Sequence, residues 1–86
     1  MTTREQKIIK ALLDVLHELD GGQLAEVILH AEVNLRLAAT ATKAEFDEAL
    51  LLADRQGWVT GVTSRYGRGR LWNLNDAGSA ARKEMR

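Results

Sequence analysis

An alternating stretch near the carboxyl end, GWVTGVTSRYGRGRLWNL from Gly57 to Leu74, most constrains how this chain can fold. β-Branched and aromatic residues occupy alternate positions on both sides of a glycine-bearing turn, a pattern typical of a hairpin. It predicts two strands, Trp58–Thr63 and Arg70–Leu74, joined by a tip at Ser64–Gly69. Because an isolated hairpin is only marginally stable, we expect these strands to cover one side of a helical core.

Almost everything before the hairpin has the apolar spacing of helices. We predict a first helix over 3–19, a second from about Leu24, and a third from about Thr42. A connection over 33–40 separates the second helix from the third. A last helix is capped by Asn75 or Asp76 and runs toward Met85. The residues predicted to face the core are Ile8, Ile9, Leu12, Leu13, Val15, Leu16 and Leu19, then Leu24, Val27, Ile28 and Ala31, then Phe46, Ala49, Leu50 and Ala53, with Leu35 and Leu37 anchoring the connection.

The composition excludes several classes of protein. The 86 residues include no cysteine, which excludes a disulfide framework and a thiolate metal site. No apolar run approaches the roughly 20 residues that span a bilayer. The amino-terminal residues lack the apolar core and cleavage site of a signal peptide. We therefore expect one cytoplasmic domain over residues 1–86, with no membrane partner.

Two passages resemble winged helix-turn-helix domains. The first, ALLLADRQGWVTGV over 49–62, is similar to the place where the third helix ends and the first wing strand begins. There a glycine precedes two apolar residues, here Gly57, Trp58 and Val59. The second, LWNLNDAGSAA from Leu71 to Ala81, is similar to the end of the wing. Its matching positions are Leu74, Asn75, Asp76, Ala77 and Gly78.

The resemblance implies an α+β fold, a small winged helix with a three-helix core, a two-stranded β-hairpin wing and a C-terminal helix. It also implies a small transcriptional regulator that binds double-stranded DNA. The third helix would enter the major groove, and the wing would lie along the backbone or the minor groove. The positions of the third helix that would face the groove are Thr42, Lys43, Ala44, Asp47, Glu48 and Leu51.

The hairpin tip holds the strongest candidates for DNA binding: Arg65, Tyr66, Arg68 and Arg70. Arginines on such a tip can bind phosphates or enter a narrow minor groove, and the tyrosine can lie against a sugar or base. The charge distribution points the same way, since residues 1–54 carry five basic and ten acidic side chains and residues 55–86 carry seven and two. The alternative is a solvated turn whose arginines keep the edge strands from pairing with other chains.

The third helix supports a second hypothesis from a different class. Only Thr42 and Lys43 suit contact with DNA there, because the acidic residues of that helix repel phosphates. Its three consecutive leucines at 50–52 exceed what a helix of this size can bury, so one of them either widens the core or marks a partner or homodimer surface. A protein-interaction module that binds no DNA would use Asp47, Glu48, Leu51 and Leu52.

No pattern of residues indicates catalysis, a metal site or a cofactor. His17 and His30 lack a third ligand at metal-binding spacing. The Gly67-Arg68-Gly69 step lacks the lysine and the strand-to-helix context of a phosphate loop. Trp58 and Trp72 are expected to pack where the hairpin meets the core rather than to stack on a ligand. We therefore expect a protein that is not an enzyme.

Overall fold

The computed structural model describes residues 2–19, 22–63 and 69–85. It confirms the predicted α+β winged helix, with a three-helix core, a hairpin wing and a C-terminal helix, and it adds one short strand. Most of the predicted hairpin tip, residues 64–68, lies outside the described residues. The elements are α1 (Thr3–Glu18), β1 (Leu24–Ala25), α2 (Glu26–Arg36), α3 (Lys43–Arg55), β2 (Val59–Thr63), β3 (Arg70–Leu74) and α4 (Asp76–Glu84).

Helix α1 lies at the centre of the core. Thr2 caps it, because the hydroxyl oxygen of Thr2 accepts a hydrogen bond from the backbone nitrogen of Glu5 at 3.1 Å. Helices α2, α3 and α4 and strand β3 all pack against it. The predicted buried face is confirmed, with Leu19 at its end only partly buried. The residues of α1 buried in the core are Ile8, Ile9, Ala11, Leu12, Leu13, Val15 and Leu16.

Helix α2 differs from its prediction in extent and in orientation. It continues to Arg36 rather than giving way to a connection at residue 33, and Leu24 pairs in β1 instead of beginning the helix. The core side chains of α2 are Leu29 and Val33. The prediction was wrong because α2 has two apolar faces. Packing against α1 and the sheet buries the face that carries Leu29 and Val33 and leaves the other face exposed. The apolar residues predicted to be buried or anchored but found exposed are Val27, Ile28, Ala31 and Leu35.

Helix α3 buries the face that its periodicity predicts: Phe46, Ala49, Leu50 and Ala53. The helix ends in a Schellman motif. The backbone nitrogen of Gly57 donates to the Asp54 carbonyl, and that of Trp58 donates to the Ala53 carbonyl, both at 3.0 Å. The motif requires a positive φ at Gly57, where it is 75°, so glycine is the suitable residue. The chain therefore turns directly from α3 into the first wing strand.

The three strands form an antiparallel sheet in the order β1–β3–β2. Trp72 in the central strand pairs with Leu24 on one side and with Gly61 on the other. The Trp72 side chain belongs to the core, and Trp58 and Leu74 pack against that core. This confirms that both tryptophans contribute to packing and that Trp72 and Leu74 share the inner face of the sheet.

Helix α4 is capped by Asn75, whose side-chain oxygen accepts a hydrogen bond from the Gly78 backbone nitrogen at 2.9 Å. Arg82 then joins α4 to α1, since its Nε donates to Oδ1 of Asp14 at 2.6 Å. Lys10 donates to the same carboxylate from within α1. Burial alone would raise the pKa of Asp14, but the hydrogen bonds from Lys10 and Arg82 lower it below its ordinary value.

Candidate nucleic-acid interface

The amino end of α3 is held by a capping box and by an arginine from α1. The hydroxyl of Thr42 accepts from the Glu45 backbone nitrogen at 3.1 Å, and the Glu45 carboxylate accepts from the Thr42 nitrogen at 3.0 Å. The Nε of Arg4 donates to Glu45 at 3.1 Å, and its other two nitrogens donate to the carbonyls of Ala39 and Thr40. These contacts fix where α3 begins relative to α1.

The same contacts keep Glu45 ionised. The hydrogen bond from Arg4, followed by that from the Thr42 backbone nitrogen, lowers the pKa of Glu45 from 4.5 to about 2. Its negative charge therefore belongs to the internal structure of the helix start and is already engaged. Farther along α3, Glu48 is exposed and Asp47 is half-buried.

The turn between α2 and α3 is fixed by side chains of α2. The amide oxygen of Asn34 accepts from the Ala41 backbone nitrogen, and Nε2 of His30 donates to the Ala41 carbonyl, both at 2.8 Å. The His30 ring stacks on Phe46 with centroids 4.6 Å apart and an interplanar angle of 14°. His30 therefore packs within the turn between α2 and α3.

The outward face of α3 carries every position that the resemblance places in a DNA groove. Thr42, Lys43, Ala44, Glu48 and Leu51 are exposed, and Asp47 is half-buried. Lys43 is not free, because its ammonium group lies 2.7 Å from the Asp47 carboxylate, which raises the pKa of Lys43. Leu52, grouped with Leu51 in the predicted partner surface, instead packs partly against the core.

A cleft of about 470 Å³ separates the outward face of α3 from the central strand of the sheet. Its presence shows that α3, the start of α2 and the wing strand β3 meet on one side of the molecule. The residues that line it are Glu26, Asp47, Leu50, Leu51, Asp54, Gly69, Arg70 and Trp72.

Arg70 is the wing arginine that the structure describes, and its position depends on Trp72. The guanidinium carbon of Arg70 lies 5.9 Å from the centroid of the Trp72 ring, within cation–π range. The indole nitrogen of Trp72 donates to the Glu26 carboxylate at 3.0 Å. Glu26 therefore holds the tryptophan, and the tryptophan supports the arginine beside α3. Arg65, Tyr66 and Arg68 lie outside the described residues.

The charges around the cleft are mixed. Three carboxylates, those of Glu26, Asp47 and Asp54, line it together with the single guanidinium of Arg70. Asp47 is already paired with Lys43, and Glu26 is already bonded to Trp72. Because the indole of Trp72 is uncharged, Glu26 keeps its negative charge, so phosphates approaching α3 would meet a net acidic face, whereas phosphates approaching β3 would meet Arg70.

Glu26 and Arg4 are two important residues that sequence reasoning did not single out. Glu26 acts on Trp72, 46 positions away, and Arg4 acts on Glu45, 41 positions away. Nothing in the spacing of charges indicates which distant side chain completes either contact.

Within residues 2–19, 22–63 and 69–85, no group of three histidine, cysteine or acidic residues is arranged to hold a metal ion. None of the helices in this part of the chain is both long and apolar enough to cross a membrane.

Sequence comparison finds no match, since no protein-family model and no curated protein matches this chain. Structural comparison finds two similar proteins. The PcaV transcriptional regulator from Streptomyces coelicolor, solved in complex with its natural ligand, superposes with a TM-score of 0.73 at 20% identity. That match covers 99% of this chain and 52% of PcaV, so the chain spans about half the length of that regulator.

The second similar structure is F-93 of SSV1, with a TM-score of 0.68 and 18% identity over 94% of this chain and 80% of F-93. Both matches extend over nearly all of the chain. The chain therefore has a winged-helix fold.

Proposed function

We propose that this chain binds double-stranded DNA through the face that α3 forms with the β2–β3 wing, as a small transcriptional regulator in the cytoplasm. The observation that carries the proposal is the placement of Arg70, which stacks on Trp72 beside the exposed face of α3. The winged-helix fold and the likeness to a transcriptional regulator support it. The proposed role is binding rather than catalysis.

In this proposal the wing supplies most of the affinity. Arg65, Arg68 and Arg70 bind phosphates, and Tyr66 lies against a sugar or base. Helix α3 contributes modest contacts from Thr42 and Lys43, because the neighbouring carboxylates repel the DNA backbone. We therefore expect binding that is strongly salt-dependent and that discriminates weakly between sequences.

Fluorescence anisotropy with a labelled random duplex tests the role of the wing. Arg70→Ala should reduce the slope of log affinity against log salt by about 0.9, the value for one phosphate contact. Lys83→Ala is the matched control, since Lys83 is an exposed cation on α4, and it should leave the slope unchanged. Replacing Arg65, Arg68 and Arg70 together should abolish binding at moderate salt. Thermal melting of each variant checks that it remains folded.

The acidic residues of α3 provide a second test of the same proposal. Replacing Asp47 and Glu48 by alanine should leave duplex affinity unchanged or raise it, since the change removes two repulsive charges and releases Lys43 from its ion pair. Loss of affinity in this variant would contradict the proposed arrangement of α3.

The cleft favours a second candidate function, a protein-interaction module on the same fold. Leu50, Leu51 and Trp72 give the cleft apolar walls, and three carboxylates surround them, a combination suited to a basic protein segment. This candidate predicts no duplex binding even at low salt. It also predicts that a purified basic partner loses affinity when Asp47, Glu48 or Leu51 is changed. Failure of the wild-type protein to bind any duplex at low salt would overturn the DNA proposal.

A further inference from the structure

The outward face of α2 is an apolar stripe that no described part of the chain covers. Val27 is 82% exposed, Leu35 is 80% exposed and Ile28 is 51% exposed. Ala31, between them on the same face, is also exposed. We name Val27, Ile28, Ala31 and Leu35 the α2 stripe. Val27 and Leu35 have the highest exposed fractions of all the large apolar residues that the structure describes.

The α2 stripe lies opposite the face that holds α2 in the fold. Leu29 and Val33 are fully buried, and the stripe residues fall on the other side of the helix. A surface helix normally carries polar residues there. Ile28, Ala31 and Leu35 instead repeat at intervals of three and four, the spacing of a helix that packs against another helix on that side as well.

We propose that the α2 stripe binds the α2 stripe of a second copy of this chain, with the two helices antiparallel and Ala31 at the two-fold axis. This inference goes beyond the proposed DNA binding. None of the stripe residues lines the cleft between α3 and β3.

The arrangement of side-chain sizes favours a second copy over an unrelated partner. An interface between identical copies must be self-complementary. Val27 and Leu35 lie four residues before and four residues after Ala31. A two-fold rotation about an axis through Ala31 therefore places Val27 of one copy opposite Leu35 of the second copy, and Leu35 opposite Val27. The small Ala31 side chains then meet at the crossing point, where the two backbones come closest.

The charge of the stripe allows the same occupant. All four of its members are uncharged, so two copies can meet there without bringing like charges into contact. The size of the stripe limits the strength of the dimer. Specific interfaces bury roughly 800 Å² on each partner, and four side chains supply only part of that area. We therefore expect a dimer whose population rises with protein concentration.

Disulfide trapping tests the position of the axis, because the wild-type chain contains no cysteine. Helices that cross at alanine leave the facing Cα atoms about 4–6 Å apart, within reach of a disulfide. The Ala31→Cys variant should therefore cross-link under mild oxidation about tenfold faster than a non-associating control, since paired copies raise the effective thiol concentration. Val62→Cys is that control, at an exposed apolar site on β2.

Sedimentation velocity over a range of protein concentrations tests the dimer itself. The wild-type chain should dimerise, and Leu35→Glu should remain monomeric at the concentrations at which the wild type is mostly dimeric. Val62→Glu should still dimerise, and thermal melting should show that both variants are folded, since both sites are exposed.

Three results would each overturn the proposal. They are a wild-type chain that is monomeric at every concentration, a dimer that survives Leu35→Glu, and an Ala31→Cys variant that cross-links no faster than Val62→Cys. None of these measurements includes DNA, so their failure would leave the proposed DNA binding untouched.

Discussion

Phe46 shows how one side chain can join two helices of this core. It is 1% exposed, lies on the inner face of α3 and stacks on His30 of α2. We predict that Phe46→Ala lowers the free energy of unfolding by about 3–5 kcal/mol, because it removes a buried ring and leaves a cavity. Urea unfolding measures the change. Leu51→Ala, on the exposed side of the same helix, is the control and should cost far less.

Gly78 occupies a position that no larger residue can take without a shift of the backbone. A Cβ atom there would lie 2.1 Å from the carbonyl oxygen of Trp58 and 2.6 Å from Cδ1 of Leu74. Glycine-to-alanine changes in helices usually stabilise by up to about 1 kcal/mol. Gly78→Ala should instead destabilise by about 1–3 kcal/mol, through overpacking where α4 meets the chain after α3. An unchanged or raised melting temperature would contradict this, and Ser79→Ala is the neighbouring control.

At the scale of elements, the start of α3 gives the protein a specific response to acid. The pKa of Glu45 is about 2 in the folded chain and 4.5 ordinarily. Its contribution to stability is therefore fully present above about pH 4.5 and is lost as the pH falls through about 2. We predict that Glu45→Gln reduces the dependence of the melting temperature on pH within this window and leaves the slope above pH 5 unchanged.

The prediction for Glu45 has an internal control in α3. Glu48→Gln removes a carboxylate from the same helix at an exposed position and should leave the acid response intact. Equal pH profiles for the wild-type chain and Glu45→Gln would show that the contact between Arg4 and Glu45 does not stabilise the fold in solution.

At the scale of the whole molecule, α1 is the element around which the others are arranged. Three helices and the central strand pack on it, and Asp14 joins it to Arg82 in α4. We predict that backbone amides in the middle of α1, at Leu12, Leu13 and Leu16, exchange with solvent only through global unfolding. Native-state hydrogen exchange measures this. Faster exchange in α1 than in α4 would mean that the core is organised around a different element.

Local sequence by itself determined the elements whose signals lie within a few residues of one another. Thr2, Thr42 and Asn75 begin helices because each side chain caps a backbone nitrogen three residues ahead. The inner faces of α1 and α3 follow from a single apolar period on each helix. The hairpin follows from alternation on both sides of a glycine-bearing turn.

Tertiary structure alone decided which apolar face of α2 is buried. Its sequence offers two such faces, and only the positions of α1 and the sheet select Leu29 and Val33 over Val27 and Leu35. Tertiary structure also decided that Leu24 joins β3, that Arg4 holds Glu45 and that Glu26 holds Trp72. Each of these contacts joins distant parts of the chain, and its energy depends on a geometry that exists only after the core has formed.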